Sequence, residues 1–123
     1  MTIREAIDQV DLLKPNTYKE PVKIGWLSRL DAMVKGQVID AYDGAEKVQF
    51  AGYDERTPQD TLLLMPEPYA EAYLRWIEAQ IDYANGEYDK YNNSIVMFNT
   101  AFQGYKDEYN RTHLPKAGRS QFF

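Results

Sequence analysis

The sequence predicts a small, mainly α-helical bundle of about four helices, ending in a long C-terminal helical hairpin. Three observations lead there. Apolar residues recur at helical spacing in four separate stretches of the chain. In the last of them the steps alternate between three and four without a break from Tyr88 to Tyr109. The 123 residues, 44% hydrophobic and 27% charged, suit one globular domain with a core of its own.

The first helix is announced by Thr2-Ile3-Arg4-Glu5, a capping box in which Thr2 and Glu5 satisfy each other's backbone N–H. Ile3, Ile7 and Val10 then mark one face, and Pro15 forces an end near Leu13. Thr17 to Glu20 repeats the cap pattern, with Pro21 tolerated in the first turn. Trp26, Leu27, Leu30, Met33, Val34, Val38 and Ala41 continue as a broad stripe, with Gly44 as the expected stop. Gly36 within it costs about 1 kcal/mol relative to Ala, and either allows a close helix crossing or is simply tolerated.

Residues 45–67 break the period and are expected to be irregular or to hold short β-strands. The apolar run Thr61 to Met65 reads as a strand or a buried segment. A loop this long in a small domain is more often functional than idle. From Pro68 the helical signal returns, with Tyr69, Tyr73, Ile77, Ile81 and Ala84 on one face, Leu74 beside them and Trp76 at the edge. Asn85-Gly86 interrupts, as a tight turn or a kink.

The last helix carries Tyr88, Tyr91, Ile95, Phe98, Phe102, Tyr105 and Tyr109 at a period of 3.5, the pattern of a helix packed nearly antiparallel on a partner. The stripe is expected to serve as core against the preceding helix, with a face shared with another subunit as the alternative. Asn92 and Asn99 flank this seam, where an amide would fix a partner's register or serve as exposed polar filler. Residues 1–110 are therefore taken as the helical domain and 111–123 as an extended or mobile tail. That tail holds Arg111, Lys116 and Arg119 and no acid, a balance of +3 against a net charge of −5 for the whole chain. Its terminal Phe122-Phe123 costs solubility unless the rings dock, either in a neighbouring subunit or back on the chain's own body.

Charge and motif content narrow the function classes. A net charge of −5 argues against nucleic acid as the main partner. A basic tail on an acidic body suggests contact between copies or with another acidic protein, a solvated tail being the alternative. Ten Tyr among 14% aromatic residues point the same way, because Tyr gives large contact area with few rotatable bonds. With no Cys, thiolate catalysis and Cys-based zinc sites fall away. His113 is the only histidine and is expected on the surface. No H-E-x-x-H, Walker-type loop or G-x-S-x-G occurs, so neither enzyme activity, cofactor nor metal is expected. Asp40, Asp43, Asp82 and Asp89 read as solvated acids on helix faces. The start of the chain has no secretory pattern and no stretch long enough to span a bilayer, so the protein is expected in the cytosol or in a particle assembled there, and the matches to the glycosylation pattern at Asn92 and Asn110 are taken as chance.

Ile3 to Asn16, Trp26-Leu27-Ser28-Arg29-Leu30-Asp31 and Pro66 to Tyr91, with Tyr91-Asn92-Asn93 following, resemble small phage and prophage head–tail connector proteins. The resemblance covers most of the chain and rests on structural rather than catalytic signatures. It implies a helical virion protein without enzyme activity, assembled in the bacterial cytoplasm as a ring of copies beneath the portal protein. Such a ring extends the DNA channel without gripping DNA specifically, and offers a platform for the next neck or tail component. On this reading Asn92, Asn99, Arg111, Lys116, Arg119, Phe122 and Phe123 are the expected interface residues. A tail-completion or other neck protein is the nearest alternative, and a helical DNA-binding regulator the alternative from another class. The latter needs a basic recognition helix, whereas the longest helix carries Lys90 and Lys106 against Glu87, Asp89, Asp107 and Glu108.

Overall fold

Four α-helices and an irregular central segment make up the protein, whose computed structural model describes residues 1–116. The helices are α1 (Ile3–Leu13), α2 (Glu20–Met33), α3 (Glu71–Ala84) and α4 (Tyr88–Thr112). The mainly helical fold with its C-terminal hairpin is thus as the periodicity predicts.

α1 starts on the expected capping box: the Glu5 N–H donates to Thr2 Oγ1 at 3.1 Å, and the Thr2 N–H donates to Glu5 Oε1 at 2.9 Å. Ile3, Ala6, Ile7 and Val10 form its buried face. The second cap does not form. α2 begins after Lys19 with no side-chain cap, and Glu20, the acid of the expected box, is committed elsewhere. The Glu20 carboxylate accepts from Arg4 at 2.6 Å and from Gln59 at 3.2 Å. Asn16 shapes the turn instead, accepting from the Tyr18 N–H at 3.1 Å and donating to Asp11 and to the Lys14 carbonyl at 3.0 Å.

The stripe expected to run as one helix to Gly44 changes pitch on the way. α2 ends at Met33, a π-turn covers Val34–Val38, and a single 3₁₀ turn covers Ile39–Ala41. The wider turn lets Val34, Val38 and Ile39 all reach the core. Gly36 lies on the outside of it with open space where a Cβ would stand, so no helix crosses there. Gly44, at φ +88°, then turns the chain in a conformation that favours glycine.

Residues 45–67 contain a 3₁₀ turn at Ala45–Lys47 and otherwise no regular element. The expected strand near Thr61 reduces to one isolated bridge between Thr2 and Leu62. Its purpose is visible in the hydrogen bonds. The N–H groups of Ile3 and Arg4, which an isolated helix start leaves unpaired, donate to the carbonyls of Thr61 and Gln59 at 3.1 and 3.0 Å. Leu63 and Met65 drop into the core beside them.

α3 starts at Glu71, three residues after Pro68, and buries Tyr73, Leu74, Ile77 and Ile81, while Ala84 at its end is exposed. Asn85-Gly86 is a tight turn. The Glu87 N–H donates to the Asp82 carbonyl at 2.9 Å and the Gly86 N–H to the Tyr83 carbonyl at 3.0 Å, with Gly86 at φ +73°. That is the Schellman arrangement, which reverses the chain and lays α4 along α3. α4 spans 25 residues, about 37 Å at 1.5 Å per residue. Phe98, Phe102 and Tyr105 are the buried centre of its aromatic seam; Ile95 and Tyr109 are half-buried and Tyr88 is exposed. The seam is therefore core in the middle and surface at its start.

Candidate interaction surface

Two buried carboxylates, Asp31 and Asp82, organise the molecule. Asp31, on α2, is fully buried. Its carboxylate accepts from the hydroxyls of Tyr53 and Tyr73, each at 2.5 Å, and from the Leu64 N–H at 3.0 Å. Tyr73 in turn accepts from the Met65 N–H at 2.7 Å. Burial raises the Asp31 pKa above the usual carboxylate range, against the lowering effect of the two tyrosines and the Leu64 N–H. The same burial, with Asp31 beside them, pushes both tyrosine hydroxyls above their ordinary value. Asp31 has no surface to offer a substrate. It fastens the irregular segment 53–65 to α2 and α3.

Asp82, 1% exposed on α3, corrects its reading as a solvated acid. It is held by the Lys14 ammonium from the end of α1 and by the Ser94 hydroxyl of α4 at 2.8 Å. One carboxylate thus ties three helices together. Asp40 is paired with Lys35. His113 is not a free surface residue either: it ends α4, half-buried, stacked on Tyr109 with ring centres 3.7 Å apart. Among the described residues, no three His, Cys, Asp or Glu side chains form a group that would hold a metal ion. No helix among them is long and apolar enough to cross a membrane.

With the carboxylates committed inside, the surface of the α3–α4 hairpin stands out. From Tyr91 to Tyr105, α4 carries no charged residue. Its inner side is the aromatic seam, and its outer side exposes Asn92, Asn93, Val96, Met97, Asn99 and Gln103. Val96 is 62% exposed and Met97 48%. Asn92, Val96, Asn99 and Gln103 repeat the alternating steps of four and three, so a second stripe runs parallel to the buried one. A shallow groove of about 340 Å³ lies beside Val96 and Met97, closed on the α3 side by Glu71 and Arg75. Solvated helix faces usually carry charge; one that presents amides, Val and Met has the composition of a contact surface.

Of the residues expected at an interface, Asn92 and Asn99 lie on this face, both exposed. Arg111 lies within the last turn of α4, which runs two residues beyond Asn110, and pairs with Glu108. Lys116 is exposed and its N–H donates to the Ala41 carbonyl at 3.2 Å, some distance along the molecule from Asn92. Arg119, Phe122 and Phe123 lie outside the described residues. Val96 and Met97 stand off the 3.5-residue seam, so its periodicity does not point to them, although the uncharged run from Tyr91 to Tyr105 is legible in the sequence. Compared with protein-family models, with curated proteins and with solved structures, the chain matches none.

Proposed function

We propose that the protein is a structural virion component, a head–tail connector that forms a ring of identical copies under the portal and joins capsid to tail. The observation that carries this reading is the uncharged, exposed face of α4 between Tyr91 and Tyr105, which is built for contact with protein. Asn92 and Asn99 supply directional hydrogen bonds beside Val96 and Met97, so the face specifies register as well as burial. The residues that resemble head–tail connectors supply the family context. A body that is acidic outside the tail suits a channel wall past which DNA slides, because basic walls bind phosphate. The same uncharged face disfavours a DNA-binding regulator, whose recognition helix needs Lys and Arg.

In this role the chain has no catalytic activity of its own, and its partners are further copies, the portal and a neck or tail component. Purified portal rings imaged by electron microscopy with and without the protein test the proposal. An added ring layer under the portal supports it. Portal rings that stay bare, with the protein remaining monomeric in the mixture, overturn it.

A further inference from the structure

A pocket of about 300 Å³ opens between the central segment and the C-terminal half of α4. Ile39, Val48, Leu64 and Pro66 give it an aliphatic lining, and Tyr69, Tyr105 and Tyr109 an aromatic one. The rings are held in place by one another and by their neighbours. Tyr69 meets Tyr105 edge to face at 6.0 Å, and Tyr105 meets Tyr109 at a tilt at 5.8 Å. Tyr109 in turn carries His113 stacked at 3.7 Å and Tyr42 against it at 5.3 Å. Packing of this kind fixes the shape of the pocket in advance of any ligand, as is usual for small-molecule sites. An apolar cavity of about 150 Å³ holds benzene, so this one has room for a molecule of about two fused rings.

One group in the lining is more than apolar filling. Tyr105 is 3% exposed, yet its hydroxyl makes no hydrogen bond among the described residues. Tyr73, equally deep, both donates to Asp31 and accepts from the Met65 N–H. No polar side-chain atom among the described residues is sealed from solvent without a partner, so the Tyr105 hydroxyl is reached through the pocket that it lines. Burial, and then Tyr109 and Asp31 nearby, raise its pKa above the ordinary tyrosine value and keep it protonated as a donor. The charged side chains around the pocket are already matched. Glu108 of the lining pairs with Arg111, and Lys35, close to Tyr109, pairs with Asp40. A charged ligand would give up its hydration here without an unpaired opposite charge on those side chains to replace it.

We infer that this pocket binds a small, uncharged, mainly aromatic molecule that carries one hydrogen-bond acceptor, and that the Tyr105 hydroxyl orients it. Val48 and Leu64 receive its apolar part, the tyrosine rings meet its edges and faces, and the hydroxyl donates to its acceptor. A buried hydroxyl with no partner of its own costs stability, and a ligand that accepts from it removes that cost. The inference stands apart from the connector reading, which rests on the opposite, outer face of α4.

The test uses the full chain with ¹³C-labelled Ile, Leu and Val methyl groups and two probes of one shape. Quinoline has a ring nitrogen that accepts a hydrogen bond and is uncharged at neutral pH; naphthalene has no acceptor. Quinoline is expected to shift the methyl resonances of Ile39, Val48 and Leu64 along a saturating curve while those of Val96 stay in place. Tyr105→Phe is expected to weaken quinoline about fivefold, the worth of one neutral hydrogen bond, and to leave the naphthalene shifts as they are. The anion 2-naphthoate is expected to leave the three residues unshifted where quinoline half-saturates them. The variant should also keep the native urea midpoint, since no described residue loses a bond. Absence of a saturating shift at Ile39, Val48 and Leu64 up to the solubility limit of quinoline would overturn the inference. So would equal quinoline affinity in the native chain and Tyr105→Phe, an equal loss for both probes, or 2-naphthoate binding as tightly as quinoline. A lowered urea midpoint for Tyr105→Phe would show the hydroxyl already satisfied within the protein, with the same consequence.

Discussion

Replacing Asp31 by Asn probes the interior most severely, because shape is kept and only hydrogen-bond polarity changes. Asp31 receives three donors: the Tyr53 and Tyr73 hydroxyls and the Leu64 N–H. An amide offers one acceptor oxygen and one NH₂, so at least one buried donor then faces another donor. The remaining bonds also lose their charge assistance, but the neutral amide is spared the desolvation that dominates at Asp31, so the unpaired buried donor, at about 1–3 kcal/mol, carries most of the cost. The expected loss is about 3 kcal/mol, a large share of the roughly 5–15 kcal/mol that holds a domain together. In urea, with a slope of about 2 kcal/mol/M, the midpoint falls by about 1.5 M at unchanged slope. Tyr73→Phe should cost about 3 kcal/mol, because it also leaves the buried Met65 N–H without its acceptor, and Tyr53→Phe about 2.

The pH dependence follows from the raised pKa of Asp31, for which burial is the first cause. A carboxyl whose folded pKa exceeds its unfolded value holds more protons when folded. Its contribution to stability is therefore full below the ordinary carboxylate pKa and is lost as pH rises through the folded value. The gap in stability between the native chain and Asp31→Asn should narrow as pH rises across that interval. Comparing the two proteins cancels Glu5, Glu20 and Glu87, whose lowered pKa values act in the opposite sense. An Asp31→Asn midpoint within experimental error of the native one, or a gap that widens with pH, would refute the reasoning.

Lys14→Met leaves Asp82 buried with only Ser94 as a side-chain partner and should cost about 3 kcal/mol, read as a lowered thermal midpoint; Ser94→Ala should cost about 1. Two glycines should respond with opposite signs. Gly86→Ala forces a Cβ into φ +73° at the hairpin turn and should lose about 1 kcal/mol, whereas Gly36→Ala fills open space on a helical turn and should gain about 0.5–1 kcal/mol by denaturant titration.

What could be read in the sequence was what local spacing determines. The Thr2–Glu5 box lies within one helical turn, and the Tyr88–Tyr109 seam repeats within one helix, so both are visible without knowledge of the fold. The Thr17–Glu20 box has the same local pattern and fails, because Glu20 meets Arg4 and Gln59 from distant parts of the chain. Asp31 and Asp82 fail to declare themselves for the same reason. Their partners stand at positions 53, 64 and 73 in one case, and 14 and 94 in the other. The π-turn at Val34–Val38 keeps a helical pattern of apolar residues while changing the pitch, which periodicity alone does not separate from an ordinary helix. Of the residues expected at an interface, Asn92 and Asn99 are exposed beside the seam, where the periodicity puts them, and Val96 and Met97 between them share that exposed face.

The central claim, that the outer face of α4 joins copies of this chain, is tested most directly by sedimentation of the native protein beside Val96→Glu over a wide range of concentrations. Val96 is 62% exposed, so the substitution should change fold stability by no more than about 0.5 kcal/mol. The account predicts a closed oligomer of a single mass for the native chain and a folded monomer for the variant. Identical masses for the two proteins, whether monomer or oligomer, would contradict it.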